Sequence, residues 1–220
     1  MSYYPILIEL KEKIAIIVGG GSVAERKAKT LLEYGAIIHI VSRQLTNKLN
    51  KLVEDKQIKY LGEKFREEDL NDAFVVIAAT DDKELNHEIS EISRKRGLLT
   101  NAVDQPSDCN FIVPSITKRG DLIIAISTSG KSPALAGKIR KELEKQFDIK
   151  YESFLVLMGR VRNEVMSRGL SQTENSQIFH KIVDSPILNA IANKDWARIE
   201  SILRDILPWD LDIRNVLEGF

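Results

Sequence analysis

Five short runs rich in apolar residues punctuate the first half of the chain: Ile14 to Val18, Ile37 to Val41, Ile58 to Leu61, Phe74 to Ala79 and Leu98 to Val103. Runs of this length, bounded by glycine and polar residues, predict buried strands. Between the first two, Ala24, Ala28, Leu31 and Leu32 recur on one helical stripe and Gly35 stops the helix. Leu45 to Asp55 and Lys83 to Lys95 predict two more helices, Arg66 to Asn71 a short one, and Ile6 to Leu10 a short strand or an extended lead-in. Strand alternating with helix argues for a parallel, Rossmann-type α/β sheet.

The pattern changes after residue 110. Phe111 to Ile116 and Leu122 to Ser127 alternate as two short strands joined across Thr117 to Asp121, which predicts a hairpin instead of another crossover. Ser132-Pro133 reads as N-cap and first turn of a helix running to about Gln146. From Tyr151 apolar residues recur at helical spacing, predicting helices over 151–167, 174–184 and 194–207 with Pro186 and Pro208 as boundaries, and a packed tail over 208–220. The expected organisation is a dinucleotide-binding domain over 1–110, a small hairpin-and-helix dimerisation segment over 111–147 and an all-helical C-terminal domain over 148–220. A two-stranded ribbon is marginal alone, so the hairpin is expected to pair with another subunit.

The first strand leads into Gly19, Gly20 and Gly21. Gly19 and Gly21 with Ala24 fit G-x-G-x-x-G/A: the first permits a tight turn, the second lets a pyrophosphate approach the backbone, and the third position lets helix pack on strand. Free N–H groups of Gly21, Ser22 and Val23 would point at the phosphates from a helix N-terminus. The acidic residue that usually binds the adenosine ribose is missing at the end of the second strand, where the chain reads Val41-Ser42-Arg43-Gln44. Ser42, Arg43 and Gln44 are the candidates there, and the residues alone leave NAD against NADP open.

Ligands of open parallel sheets lie beyond the carboxyl ends of the strands. Ala79 and Thr80, closing the fourth strand, are small enough for a dinucleotide to cross, although Thr80 or Asp81 would equally serve as a helix cap. Asn101 lies in the fifth strand, and Asp104 just past it, either as a functional group or as a turn residue before Pro106. Ser127, Thr128, Ser129, Gly130, Lys131 and Ser132 form an amide- and hydroxyl-rich corner suited to the carboxylates of a small substrate, or to plain capping. Ala125 stands where a P-loop needs its first glycine.

Composition narrows the field. In 220 residues formal charge balances to zero, so no global field recruits nucleic acid or a membrane surface, and no apolar run approaches the ~20 residues of a bilayer span. The N-terminus lacks the pattern of a secretory signal, which together with a single cysteine, Cys109, predicts a cytoplasmic protein. His87 is expected on a solvated surface, Cys109 as a small buried residue, and no metal-ligand spacing is recognisable.

With these residues in hand, the chain resembles the precorrin-2 dehydrogenase/sirohydrochlorin ferrochelatase family, which also forms the N-terminal half of a larger bacterial siroheme synthase. The stretches that carry the resemblance are PILIEL, IVGGGSVAERKAKTLLEYGA, VIAATDDKELN, NAVDQPSDCNFIVPS and IAISTSGKSPALAGKIRKELE, in order across about the first 145 residues. The resemblance implies NAD as cofactor and a homodimer whose middle segment exchanges strands. The implied substrates are tetrapyrroles, with precorrin-2 oxidised to sirohydrochlorin and Fe²⁺ insertion into the product as a second activity. Asp104 aligns with the family's catalytic aspartate, and Thr128 stands where the larger synthase carries a phosphorylatable serine. A non-catalytic NAD-sensing module is the competing class; it needs the glycine turn but neither a base at Asp104 nor an anion corner.

Overall fold

The computed structural model describes residues 3–207 and Trp209. The chain divides into two compact units at the junction of Val113 and Pro114. In the first, strands β1 (Ile14–Val18), β2 (Ile37–Val41), β3 (Ile58–Gly62), β4 (Ala73–Ala78) and β5 (Leu99–Ala102) form one parallel sheet in the order β3-β2-β1-β4-β5. Helices α1 (Ser22–Glu33), α2 (Asn47–Glu54) and α3 (Lys83–Lys95) complete the crossovers. From β1 the chain winds out through β2 and β3, then returns across β1 to β4, so the topological switch lies between β1 and β4.

Both faces of the central strands β1 and β4 are buried, which is why these two read as nearly continuous apolar runs. Ala15, Ile17, Ile38, Ile40, Val75 and Ile77 pack with Ala24 and Ala28 of α1 and Leu49 of α2. The alternate residues Ile16, Val18, Val41, Val76 and Ala78 pack on the other face with Ile89 of α3. The five strands and three helices anticipated from the pattern are present. Residues 3–10 are the extended lead-in, with no strand pairing, and the short helix is a 3₁₀ turn at Glu67–Leu70.

The second unit opens with an antiparallel pair, β6 (Ser115–Arg119) and β7 (Leu122–Ile126). The first hairpin strand lies four residues later than its apolar residues suggested. Pro114 has no N–H for a ladder, and Thr117, read as loop, is a buried strand residue paired with Ile124. The connection is the two-residue turn Gly120-Asp121, with Gly120 at φ +55°, a left-handed conformation natural to a tight hairpin. Helices α4 (Pro133–Gln146), α5 (Lys150–Ser167), α6 (Gln172–Val183), α7 (Ile187–Ala192) and α8 (Trp196–Ile206) follow. Leu157, Val161, Val165, Ile182, Ile187, Ile199 and Leu203 form the core of α5 to α8. The six-residue α7 is too short to show a period in sequence, and the anticipated tail over 208–220 lies, Trp209 apart, outside the described residues.

Candidate active site

Strand register brings the carboxyl ends of β1, β4 and β5 to one level: Val18 pairs with Ala78, and Ala78 with Ala102. The segments that leave these ends are bonded to one another. The amide of Gly19 donates to Val41 O (2.8 Å), that of Ala79 to Val18 O (2.7 Å) and that of Val103 to Ala78 O (2.9 Å). Gly19 has φ +120°, and a Cβ there would lie 2.1 Å from the Ala79 carbonyl oxygen, so no other residue fits.

Gly20 is as constrained, a fact the G-x-G spacing does not reveal. A Cβ there would lie 1.9 Å from the carbonyl oxygen of Gln44 in the β2–α2 loop, which Thr46 ties to the turn by donating its amide to Gly20 O (3.0 Å). A Cβ on Gly21 would meet nothing within 4 Å. The first two glycines seat the turn on its neighbours, and the third leaves backbone facing open space. Gly21 is the N-cap of α1 and caps with no side chain, and the first bond of the helix is Glu25 N–H to Gly21 O (3.0 Å). Among the described residues, the amides of Ser22 and Val23 therefore have no protein acceptor, which is the donor set an anion needs.

At the end of β2 the Ser42 hydroxyl closes its own loop, donating to Gln44 O (2.7 Å), while Tyr60 of β3 donates to Ser42 O (2.9 Å). Arg43 and Gln44 are exposed. At the end of β4, Thr80 is held by Asn86 of α3. The Thr80 hydroxyl donates to Asn86 Oδ1 (2.8 Å) and Asn86 Nδ2 donates back to Thr80 O (2.9 Å). The cap of α3 is neither Thr80 nor Asp81 but Asp82, whose carboxylate accepts from Leu85 N–H (3.0 Å). Thr80 and Ala79 are thus fixed in place at the rim, and both are half-buried.

Asn101 of β5 is committed on both sides. Lys27 of α1 donates to its Oδ1 (3.5 Å), and its Nδ2 donates to Phe111 O (3.3 Å). Nothing in the spacing of Lys27 along α1 signals a lysine that reaches β5. Burial, with Arg26 beside it, pulls the Lys27 amine below the usual lysine range. Three residues past Asn101, Asp104 has φ +61° and sits in the turn closed by Gln105 N–H to Ala102 O (3.5 Å). Its side chain is exposed and has no hydrogen bond or ion pair among the described residues. Glu12 and Asp72 share this left-handed backbone, so what makes Asp104 the candidate is its place just past the carboxyl end of β5.

In the second unit, the turn Ser127 to Ser132 is less bare than the sequence suggests. Ser129 N–H donates to Ser127 Oγ (3.0 Å), Lys131 N–H to Thr128 O (3.0 Å), Ser132 N–H to Thr128 Oγ1 (3.1 Å) and Leu135 N–H to Ser132 Oγ (3.2 Å). The hydroxyls thus serve the turn's own amides. What the turn offers outward is the exposed Lys131 and the backbone of Gly130 (φ +80°). His87, expected to be solvated, is exposed yet lies 2.9 Å from Asp108, and Cys109 is buried, its thiol pushed up by that burial. Among the described residues no cluster of His, Cys, Asp and Glu could hold a metal ion, and no helix is long and apolar enough to cross a membrane.

A parallel sheet with this switch point, a glycine turn whose last member faces open space, and uncapped amides beside it define a Rossmann-type dinucleotide-binding protein, and the residues present fit that cofactor. A family model described as "Putative NAD(P)-binding" matches residues 6–115, and one described as "Sirohaem biosynthesis protein central" matches 119–146. Siroheme synthase 1 of Serratia proteamaculans is 38% identical over 207 residues, 94% of this chain and 44% of that protein. The siroheme synthase of Nitrosomonas eutropha is 37% identical over 209 residues, again 94% of this chain and 44% of the relative. The chain therefore spans less than half the length of these relatives. A solved structure titled "SirC, precorrin-2 dehydrogenase" superposes with a TM-score of 0.76 at 27% identity, covering 93% of this chain and 98% of that one. The chain belongs to the NAD(P)-binding family of the first model, followed along the sequence by the sirohaem-biosynthesis central segment.

Proposed function

We propose that this protein oxidises precorrin-2 to sirohydrochlorin with NAD⁺, and that Asp104 is its proton acceptor. The observation that carries the reading is the placement of Asp104: an exposed, unpaired carboxylate in the turn that leaves β5, one residue beyond the Val103 amide that is bonded to the end of β4. The names of the relatives and of the matching structure agree with it.

Gly19, Gly20 and Gly21 with the amides of Ser22 and Val23 would hold the pyrophosphate, with Ser42, Arg43 and Gln44 beside the adenosine end and Ala79, Thr80 and Asn101 along the rim. When bound, NAD⁺ supplies the hydride acceptor. Oxidation of precorrin-2 removes one hydride and one proton; Asp104 takes the proton on a carboxylate oxygen and releases it to solvent, for which its exposure suits it. The exposed Lys131 in the turn Ser127 to Ser132 would attract the carboxylates that fringe the macrocycle. Fe²⁺ insertion into sirohydrochlorin is a second reaction within this reading, with Fe²⁺ as substrate and Asp104 assisting removal of the pyrrole protons.

The hairpin supports a homodimer and a dimerisation role for residues 111–147. β6 and β7 form a sheet of two strands, and Ile123, Ile124 and Ile126 of β7 remain partly exposed. A single cysteine is consistent with a cytoplasmic site of action. The deciding experiment is an anaerobic incubation of protein, precorrin-2 and NAD⁺ followed by absorbance. Appearance of sirohydrochlorin with stoichiometric NADH is expected; NAD⁺ binding without spectral change would instead identify a sensor module.

A further inference from the structure

One face of α3 is bonded along its length to the loop that carries Asp104. Lys83, His87, Ser90 and Arg94, spaced by four, three and four residues, lie on one side of the helix. In order along that face, Lys83 O accepts from Gln105 Nε2 (3.2 Å), His87 Nδ1 meets Asp108 Oδ2 (2.9 Å), the Ser90 hydroxyl donates to Asp108 O, and Arg94 donates to Ser107 O (3.2 Å). The far side of the loop is closed by Cys109, whose thiol accepts from Ala102 N–H (3.2 Å), and by Asn110, which accepts from Thr100 N–H (2.7 Å). Asp104 itself contributes none of these bonds. Its position is set by the segment that follows it.

The centre of the contact is the His87–Asp108 hydrogen bond. The Asp108 side chain is 8% exposed and that of His87 58%, so the carboxylate is inside and its partner reaches it from the surface. A buried carboxylate that loses its partner is costly to leave in place, so the loop would move to hydrate it.

We propose that His87 is a positioning residue for the dehydrogenation, acting through Asp108 to hold the turn that presents Asp104. The inference rests on the assignment of Asp104 as proton acceptor, since it is the placement of that carboxylate that His87 would control. A shift of about 1 Å at a reacting group can cost up to about a hundredfold in rate.

Two variants and two readouts test it. Asn places a donor near the position of Nδ1, so His87→Asn keeps the bond to Asp108, and His87→Leu removes it. With His87→Leu, hydrogen exchange at the Asp108 and Cys109 amides, which donate to Gln105 O and Pro106 O, is expected to accelerate at least about tenfold. kcat is expected to fall about tenfold or more with KM for NAD⁺ within about twofold of wild type, and His87→Asn to recover most of both. Unchanged exchange, unchanged kcat, or an Asn variant as impaired as the Leu variant each overturns the proposal. Should His87→Leu fail to fold, Arg94→Met, which releases the same loop from Ser107, takes its place with the same expectations. Wild-type turnover in Asp104→Asn would instead remove the reading of Asp104, while the exchange data would still report whether the helix holds the loop.

Discussion

Asp104 and the three glycines show how the same backbone freedom serves opposite ends. Gly19 and Gly20 are required because a Cβ would overlap neighbouring carbonyls, whereas Asp104 keeps a side chain where φ +61° favours having none. Gly21 lies between these cases, at φ −81° with open space beyond it. Gly21→Ala should therefore unfold within about 0.5 kcal/mol of wild type, yet bind NAD⁺ about tenfold more weakly, as titration calorimetry would read. Gly20→Ala should fail to fold normally, and equal behaviour of the two would contradict the geometry of the turn. Lys27 gives a second residue-scale prediction. Its amine is held below the ordinary value near 10.5, so between the two values the unfolded chain binds more protons. Wild-type stability measured against Lys27→Met should rise as pH climbs toward 10.5, and a constant difference in denaturation midpoint would show that burial does not disfavour the charged amine.

At the scale of elements, β1 and β4 were legible because a strand buried on both faces leaves an uninterrupted apolar run, β2, β3 and β5 because apolar residues cluster in them between polar bounds, and α1 to α3 because each buries one stripe. The hairpin was legible in kind but not in register: Thr117 is buried and Val113 is exposed, the reverse of what their side chains suggest. The glycine turn was found by spacing, but the role of Gly20 depends on Gln44, 24 residues later, and the His87–Asp108 and Lys27–Asn101 contacts likewise join residues that no local period connects. Strand pairing also sets a pH response. His39 of β2 lies opposite Lys59 of β3, and burial followed by that lysine pulls the imidazole below its usual range. The unfolded chain then takes up the proton first, so stability falls as pH drops below about 6.5. His39→Asn should flatten that acid limb; identical losses in wild type and variant between pH 7.5 and 5 would contradict it.

For the whole molecule, two compact units carry separate parts of the proposed chemistry, the cofactor turn and Asp104 in the first, the Lys131 turn and the hairpin in the second. Lys131→Ala should raise KM for precorrin-2 by about three- to tenfold and leave NAD⁺ affinity alone, as expected for one charged contact to a carboxylate; parallel changes in both constants would place that lysine elsewhere. Sedimentation equilibrium should give a dimer, and a monomer at micromolar concentration would leave the β6–β7 ribbon without the partner proposed for it. Sirohydrochlorin and Fe²⁺ with and without protein would separate chelation from dehydrogenation. The most direct test of the central claim is turnover of precorrin-2 by Asp104→Asn, a change that keeps the shape of the residue and tolerates its left-handed backbone while removing the base. Loss of sirohydrochlorin formation with wild-type affinity for NAD⁺ is the predicted result, and turnover at the wild-type rate would contradict it.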